Sequence, residues 1–584
     1  MKKNILSFAA GLLAILPSVS SCTGAGDALF VNGRTRYTIV VSPEASTSEK
    51  TAAKELKDYL GQISGADFQL TEDLSFRGRK IVVGYNGCTA DAFGEMSIDN
   101  NDESFTYRSK GRDIYIYGGR QRGTMYGVFA FLENELGCRW YTPDCTKVPQ
   151  MDAWSFRKLD HQESPALKYR YSNYFLVADA PAWSAHNKEN AKGVAKENEY
   201  GNIEAYWGAH TMGQFVSEKE FFDSHPEYFA MRDGKREKGG QLCLSNPEVL
   251  EICKERLLKK MDDEPLNRIY SLSQNDNTEF CECEECRKLE EQYGGHSGLI
   301  LWFVNQVAEA AKVSHPDKYV GTFAYWYSRK PPVGIAPLDN VVIRLCNVEC
   351  CFAHPLEAGC PQNEEFIKDL DSWKEIAPHL FIWDYIVNYS NYLMPWPNFA
   401  VLAPNIRTFR DHNAIGIFEE AQYQSPCSEF DGLKTWVITK LLWDPEQDTE
   451  ALVKDFIDGY YGKAAPKILE YYHLCQSCVK PDTHFGIFTK EDHPVYTDEF
   501  VKEGEAVLEE AAALAEDETI RERIDKVKLQ ITYLKFKRNK YVHCYPDAMT
   551  DGTWAELKEK MIKYNARADE WSTLENFIKK VESE

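Results

Sequence analysis

From about residue 165 to 445, short apolar runs alternate with longer amphipathic ones, and this alternation constrains the fold more than any other feature. Runs at 167–175, 204–207, 241–245, 268–274, 320–327, 341–347, 380–385 and 416–419 read as strands. Apolar residues at helical spacing fill the later intervals, at 298–313, 364–376, 401–410 and 433–443. Alternation of this kind makes parallel βα units. Eight strands close most naturally into a (β/α)8 TIM barrel, which needs about 250 residues, so 165–445 is expected to be that barrel.

The flanks differ in pattern. Residues 28–155 read as an α/β accessory domain, with strands at 37–41, 80–84, 104–108 and 113–117 and a helix at 48–63 whose Ala52, Leu56, Tyr59, Leu60 and Ile63 share one face. The turn Gly118-Gly119-Arg120-Gln121-Arg122-Gly123 lacks the G-x-G-x-x-G spacing and ends its domain, so it reads as a structural turn and not a dinucleotide fingerprint. After Pro445 the periodicity is helical, at 449–460, 467–479, 497–514, 519–542 and 554–564, which gives a helical C-terminal domain over 446–584.

Residues 1–22 carry an export signal: Lys2-Lys3, an apolar run at 5–16 too short to span a bilayer, then Val19-Ser20-Ser21-Cys22, which resembles a bacterial lipobox. The expectation is an exported bacterial lipoprotein anchored in the outer membrane through lipidated Cys22, facing the cell surface or the periplasm, with no other membrane contact. A net charge of −23 argues against nucleic-acid partners, which need a basic stripe. The chain has 13 Trp and 32 Tyr, many in loops, and such rings stack on the apolar faces of sugars.

Barrel chemistry comes from the C-terminal ends of strands. Those ends carry Asn275-Asp276 and Glu279, then Tyr325-Trp326, Glu349, Trp383-Asp384-Tyr385 and Glu419-Glu420, with His210 after the second run. Carboxylates beyond apolar strands interleaved with aromatics suit glycoside hydrolysis, which needs two carboxyl groups with pKa values pushed apart. Asp276 and Glu279, three apart, form the favoured pair. One would hold the amide of an N-acetyl sugar whose own carbonyl attacks the anomeric carbon, and the other would protonate the leaving oxygen. Glu349, Asp384 and Glu419 form the rival set, able to activate a water and invert. Strand alternation sends one of Glu419 and Glu420 inward and the other away, and both assignments stay open. Asp276, Glu349, Asp384 and Glu419 are expected to converge on one hollow, with His210, Asn275, Tyr325, Trp326, Trp383, Asp384 and Tyr385 contacting substrate.

No cofactor is required by this chemistry. Cys281, Cys283 and Cys286, with a fourth ligand such as Cys243, fit a structural zinc site, while disulfides or buried thiols are the alternatives. H-E-x-x-H, Walker and G-x-S-x-G motifs are missing, which disfavours metalloprotease, NTPase and α/β-hydrolase readings.

The run Leu136-Gly137-Cys138-Arg139-Trp140-Tyr141-Thr142-Pro143 resembles the end of the N-terminal domain of family 20 hexosaminidases and family 67 α-glucuronidases. The segments SLSQNDNTEFCECEEC, HPEYFAMRDGKR, NVVIRLCNVECC, LFIWDYIVNYSNYLMPWPNF and KLLWDPEQD resemble the domain of unknown function 4838, part of which is glycoside hydrolase family 163. That resemblance spans about residues 30 to 480. It implies a retaining endo-β-N-acetylglucosaminidase that cuts the chitobiose core of complex N-glycans. An exo-acting hexosaminidase or α-glucuronidase, and a glycan-binding lipoprotein on a degenerate barrel, are the competing readings.

Overall fold

The computed structural model describes residues 28–193 and 196–584, so the signal segment and Cys22 lie outside the described residues. The N-terminal part is built on a six-stranded sheet in the order Asp160–Glu163, Phe105–Lys110, Asp113–Gly118, Arg79–Val83, Tyr37–Val41, Gln69–Thr71. Helix Thr47–Ser64 buries Ala52, Ala53, Leu56, Leu60 and Ile63 along one side, and a capping box between Ser46 and Glu49 starts it. In the glycine turn, a Cβ on Gly118, Gly119 or Gly123 would fall 2.0–2.6 Å from carbonyl oxygens of Asp102 and Ser104. Those glycines let backbone pack on backbone, a structural use and not a phosphate cradle.

The central sheet has seven parallel strands: β1 (Tyr169–Ser172), β2 (Tyr206–Trp207), β3 (Ile269–Ser271), β4 (Tyr319–Ala324), β5 (Val341–Cys346), β6 (Leu380–Tyr385) and β7 (Ala414–Glu420). Their order, β1-β7-β6-β5-β4-β3-β2, is that of a barrel opened at one seam. Of the expected eight-stranded closed barrel, the described residues form a curled seven-stranded half-barrel. Residues 241–245 contribute only an isolated bridge, Phe229 to Leu242, and do not join this sheet. At the seam, Asn190 spans from β1 to the approach of β2: its N–H donates to the Arg170 carbonyl (3.3 Å) and its carbonyl accepts from Glu204 N–H (2.8 Å). Segment 187–192 reads Asn-Lys-Glu-Asn-Ala-Lys. It has no apolar alternation to pair as a strand, so side chains make many of its links, such as Asn190 Oδ1 accepting from Arg170 N–H (2.9 Å).

The lumen is packed. Arg344 of β5 is buried with its Cζ 3.5 Å from the Tyr206 ring centroid, and the Trp383 and Phe418 rings stand at 5.4 Å. Its Nε and Nη2 have no hydrogen-bond partner. Ring faces therefore hold this cation, an interaction worth up to about 2 kcal/mol when desolvated. Between the N-terminal part and the sheet, Glu103 takes Arg170 (2.7 Å) and Arg122 together, and Arg122 also reaches Glu204 (2.8 Å). Beyond the sheet the chain is helical, from Thr449–Tyr461 through Glu518–Lys537 to Leu574–Ser583. Among the described residues no helix is long and apolar enough to cross a membrane.

Candidate active site

At the C-terminal end of β7, pleating decides the chemistry. Phe418 clusters with the lumen residues and Ile417 with the residues packed under the helices, so Glu420 turns into the lumen mouth and Glu419 turns outward. Glu419 is fully buried opposite its register partner Asp384. Asp384 accepts from Asn347 Nδ2 (2.6 Å) and from Tyr385 N–H (2.8 Å). Burial, and then the Asp384 charge, push Glu419 well above the usual carboxylate range. Burial also raises Asp384, to about 6, and the two carboxyls lie on the outer face of the sheet, away from the mouth.

Glu420 is the carboxyl that faces the mouth. Burial raises it from 4.5 to about 7, the Trp383 indole N–H and the Tyr389 hydroxyl oppose the rise, and the charges of Glu570 and Asp276 add to it. Asp276 lies across the mouth on the loop after β3 and is largely exposed. Tyr325 Oη donates to Asp276 Oδ1 (3.1 Å), and His210 Nε2 stands 3.7 Å from the same oxygen. His210 Nδ1 is 2.7 Å from the Gln274 carbonyl. A carbonyl can only accept, so Nδ1 carries a proton, and Nε2 can donate to Asp276 only in the doubly protonated imidazolium. The Tyr325 and Trp326 rings stack at 4.8 Å. Trp326 has φ +49°, a left-handed backbone that costs a bulky residue about 1–3 kcal/mol and is found at functional sites.

The remaining expected residues fall elsewhere. Glu279 is ion-paired with Arg232, and Glu349 with Arg329 (2.5 Å), which also holds Asp369. Asn275 is committed to structure, accepting from Gly213 N–H (3.0 Å) and donating to the Gly240 carbonyl (2.8 Å). Of the four acids expected to converge, Asp276 alone is at the mouth. Glu420 and Glu570 supply the others. Trp383 and Tyr385 of β6 do join it, beside Glu420 and Asp276.

Three contributors gave no strand-end signal: Tyr389, Tyr392 and Glu570. Tyr392 Oη donates to Glu570, as do Tyr423 Oη (3.2 Å) and Gln424 Nε2 (3.1 Å). Exposed Phe488 and Trp571 pack side by side at 5.9 Å and continue from Tyr389. The mouth thus sets aromatic rings around three carboxyls, with Asp276, Phe488 and Trp571 exposed. A hollow of about 780 Å³ lies at the opposite ends of the strands, against Glu103 and Arg122, and holds none of this constellation.

After Asp276, Cys281 and Cys283 of the same loop and Cys286 in the first turn of helix Glu284–Tyr293 meet Cys243, with all four sulfurs within 4.8 Å of one another. Cys243 Sγ is 3.6 Å from Cys283 Sγ and 3.9 Å from Cys286 Sγ. A tetrahedron of ~2.3 Å zinc–sulfur bonds has edges of ~3.8 Å, so the four residues fit zinc.

Residues 140–473 match the family described as a domain of unknown function, DUF4838. No curated protein matches the chain. Among solved structures, one is described as a family GH115 4-O-methyl-α-glucuronidase, BtGH115A, with specificity for decorated arabinogalactans. It is 11% identical, with 95% of this chain and 76% of that chain covered and a TM-score of 0.57. A GH138 enzyme targeting pectin rhamnogalacturonan II (11%, 91% and 75%, 0.48) and a Flavobacterium johnsoniae chitobiase (12%, 95% and 97%, 0.45) are more distant in shape. At such identities the first likeness speaks for a shared fold, and the other two carry no argument.

Proposed function

We propose that the chain, which belongs to the DUF4838 family, is a glycoside hydrolase working through Glu420 and Asp276. The observation that carries this reading is the Glu420 carboxyl, held near pKa 7 in the lumen mouth and facing Asp276 among aromatic rings. A carboxyl poised there can donate a proton and then take one back at neutral pH. The finer reading is a retaining endo-β-N-acetylglucosaminidase acting on the chitobiose core of complex N-glycans, supported by the family 163 resemblance and by the exposed aromatic rings of Phe488 and Trp571 beside the mouth. Glu420 protonates the glycosidic oxygen as the C–O bond breaks, while the substrate's acetamido carbonyl oxygen bonds to the anomeric carbon. Asp276, oriented by Tyr325 and His210, takes the amide N–H. Glu420 then removes a proton from the water that opens the ring intermediate, and configuration is retained.

The test is incubation of the full chain with a complex N-glycoprotein, with the products read by mass spectrometry. A released oligosaccharide ending in a single reducing GlcNAc, lost in Glu420→Gln, is the expected result. Monosaccharides would point to an exo enzyme, and binding without release to a lectin-like protein. The same reading has the chain exported and held at the outer membrane through Cys22. Cys22→Ser should move it from the membrane fraction to the soluble one, and an unchanged distribution would refute the anchor. The four-cysteine cluster is read as a structural zinc site that pins the Asp276 loop.

A further inference from the structure

We propose a second structural zinc site, made by Cys351, His354, Cys360 and His484, that clamps the loop after β5 onto the segment backing Tyr389. Each of these residues brings a ligand atom to within 4.8 Å of the others, the cysteines buried and the histidines half-buried. Cys351 Sγ is 3.6 Å from His354 Nδ1, and Cys360 Sγ is 3.5 Å from His484 Nδ1. Tetrahedral zinc with ~2.3 Å bonds to sulfur and ~2.0 Å bonds to nitrogen sets sulfur–nitrogen edges of ~3.5 Å. The two imidazoles meet edge to face, centroids 5.0 Å apart and planes at 72°, so their nitrogens can converge without the rings stacking. Two thiolates and two neutral imidazoles cancel the charge of a zinc ion, and an S2N2 set selects it over harder cations.

The frame around the four residues is built for fixed ligands. Asn363, fully buried, accepts from Cys351 N–H (2.8 Å) and donates to the carbonyls of Cys351 (3.3 Å) and His354 (3.4 Å). Its own N–H donates to the Cys360 carbonyl (2.9 Å). A single residue thereby fixes the backbone of three ligands, two through its side chain and one through its own N–H, as outer partners do around metals. His354 Nε2 is buried without a partner, so the ring is held from its Nδ1 side, at the Cys351 sulfur.

The fourth ligand gives the site its role. His484 lies 124 residues after Cys360, and next to it the Phe485 carbonyl accepts from Phe352 N–H (2.9 Å). The Ile487 carbonyl then accepts from Tyr389 N–H (2.8 Å). Zinc here fastens the segment that positions Tyr389 against Glu420, whatever reaction the mouth performs.

The test measures zinc by elemental analysis on full-length protein purified without chelator. Cys351→Ser/Cys360→Ser should lose a single equivalent per chain relative to wild type, whatever the four-cysteine cluster holds. Equal zinc in both proteins would overturn the site, as would a Cys351–Cys360 disulfide found by unreduced peptide mapping. Should the variant not fold, a Cys243→Ser/Cys281→Ser/Cys283→Ser chain, stripped by chelator and loaded with cobalt, serves instead. Thiolate-to-cobalt absorption in that chain is the expected signal, and its absence there refutes the proposal.

Discussion

Replacing Glu420 by Gln is expected to stabilise the protein above neutral pH while removing its activity. The folded site raises this carboxyl from 4.5 to about 7. One pKa unit corresponds to 1.36 kcal/mol, so holding the ionised form costs roughly 3 kcal/mol. A raised folded pKa means the native state binds the proton more tightly than the unfolded chain does. The stability it contributes is complete below pH 4.5 and is lost as the pH rises through about 7. A neutral Gln forfeits nothing, and its carbonyl can still accept from the Trp383 indole. Glu420→Gln should therefore gain about 1–3 kcal/mol over wild type near pH 8.5 and almost nothing near pH 5. The buried Asp384–Glu419 pair carries a pH dependence of the same sign, but it is common to both proteins and cancels. Because so long a chain need not unfold in one step, the assay compares unfolding midpoints of the two proteins at both pH values. Equal differences at the two pH values, or a loss at the higher one, would refute the reasoning.

Other perturbations follow from the same contacts. Glu103→Gln strips the shared counter-ion from Arg122 and Arg170 and should cost about 3–5 kcal/mol, read as a lowered unfolding midpoint. Burial raises the Glu103 pKa, but Arg170 and then Arg122 prevail and lower it. This contribution is present above the ordinary glutamate value and lost as pH falls through the depressed one, so the variant's deficit should shrink in acid, and a deficit constant with pH would contradict the pairing. Trp383→Phe removes a donor that holds the Glu420 pKa down, so the basic limb of kcat/KM against pH should move up, and a downward shift would count against Glu420. Gly321→Ala puts a Cβ 2.0 Å from Tyr206 Oη, in a ring pinned by Arg344. It should destabilise by about 1–3 kcal/mol, and a neutral result would mean that the lumen floor is looser than described.

Much of this arrangement was legible in the sequence because it rests on local periodicity. Strands β3 to β7 and the helices between them follow from apolar runs. So does the position of Asp276, Tyr325, Trp326, Trp383 and Tyr385 at strand ends. The failures have physical causes. A one-residue parity choice separates Glu419 from Glu420, and only the packing of Ile417 and Phe418 fixes it. The seam at Asn190 is bridged by single backbone bonds and by side chains, which leave no strand pattern. Expected strand 241–245 instead brings Cys243 to the other three cysteines, a role its local pattern could not reveal. Glu570 and His484 reach their partners from the C-terminal helical region, across separations that no local rule spans.

Turnover of a complex N-glycoprotein by wild type, Glu420→Gln and Glu419→Gln tests the central assignment most directly. The account predicts a fall of about 10²–10⁴-fold for Glu420→Gln and near wild-type rates for Glu419→Gln, whose side chain faces away from the mouth. An inactive Glu419 variant beside a working Glu420 variant would contradict it.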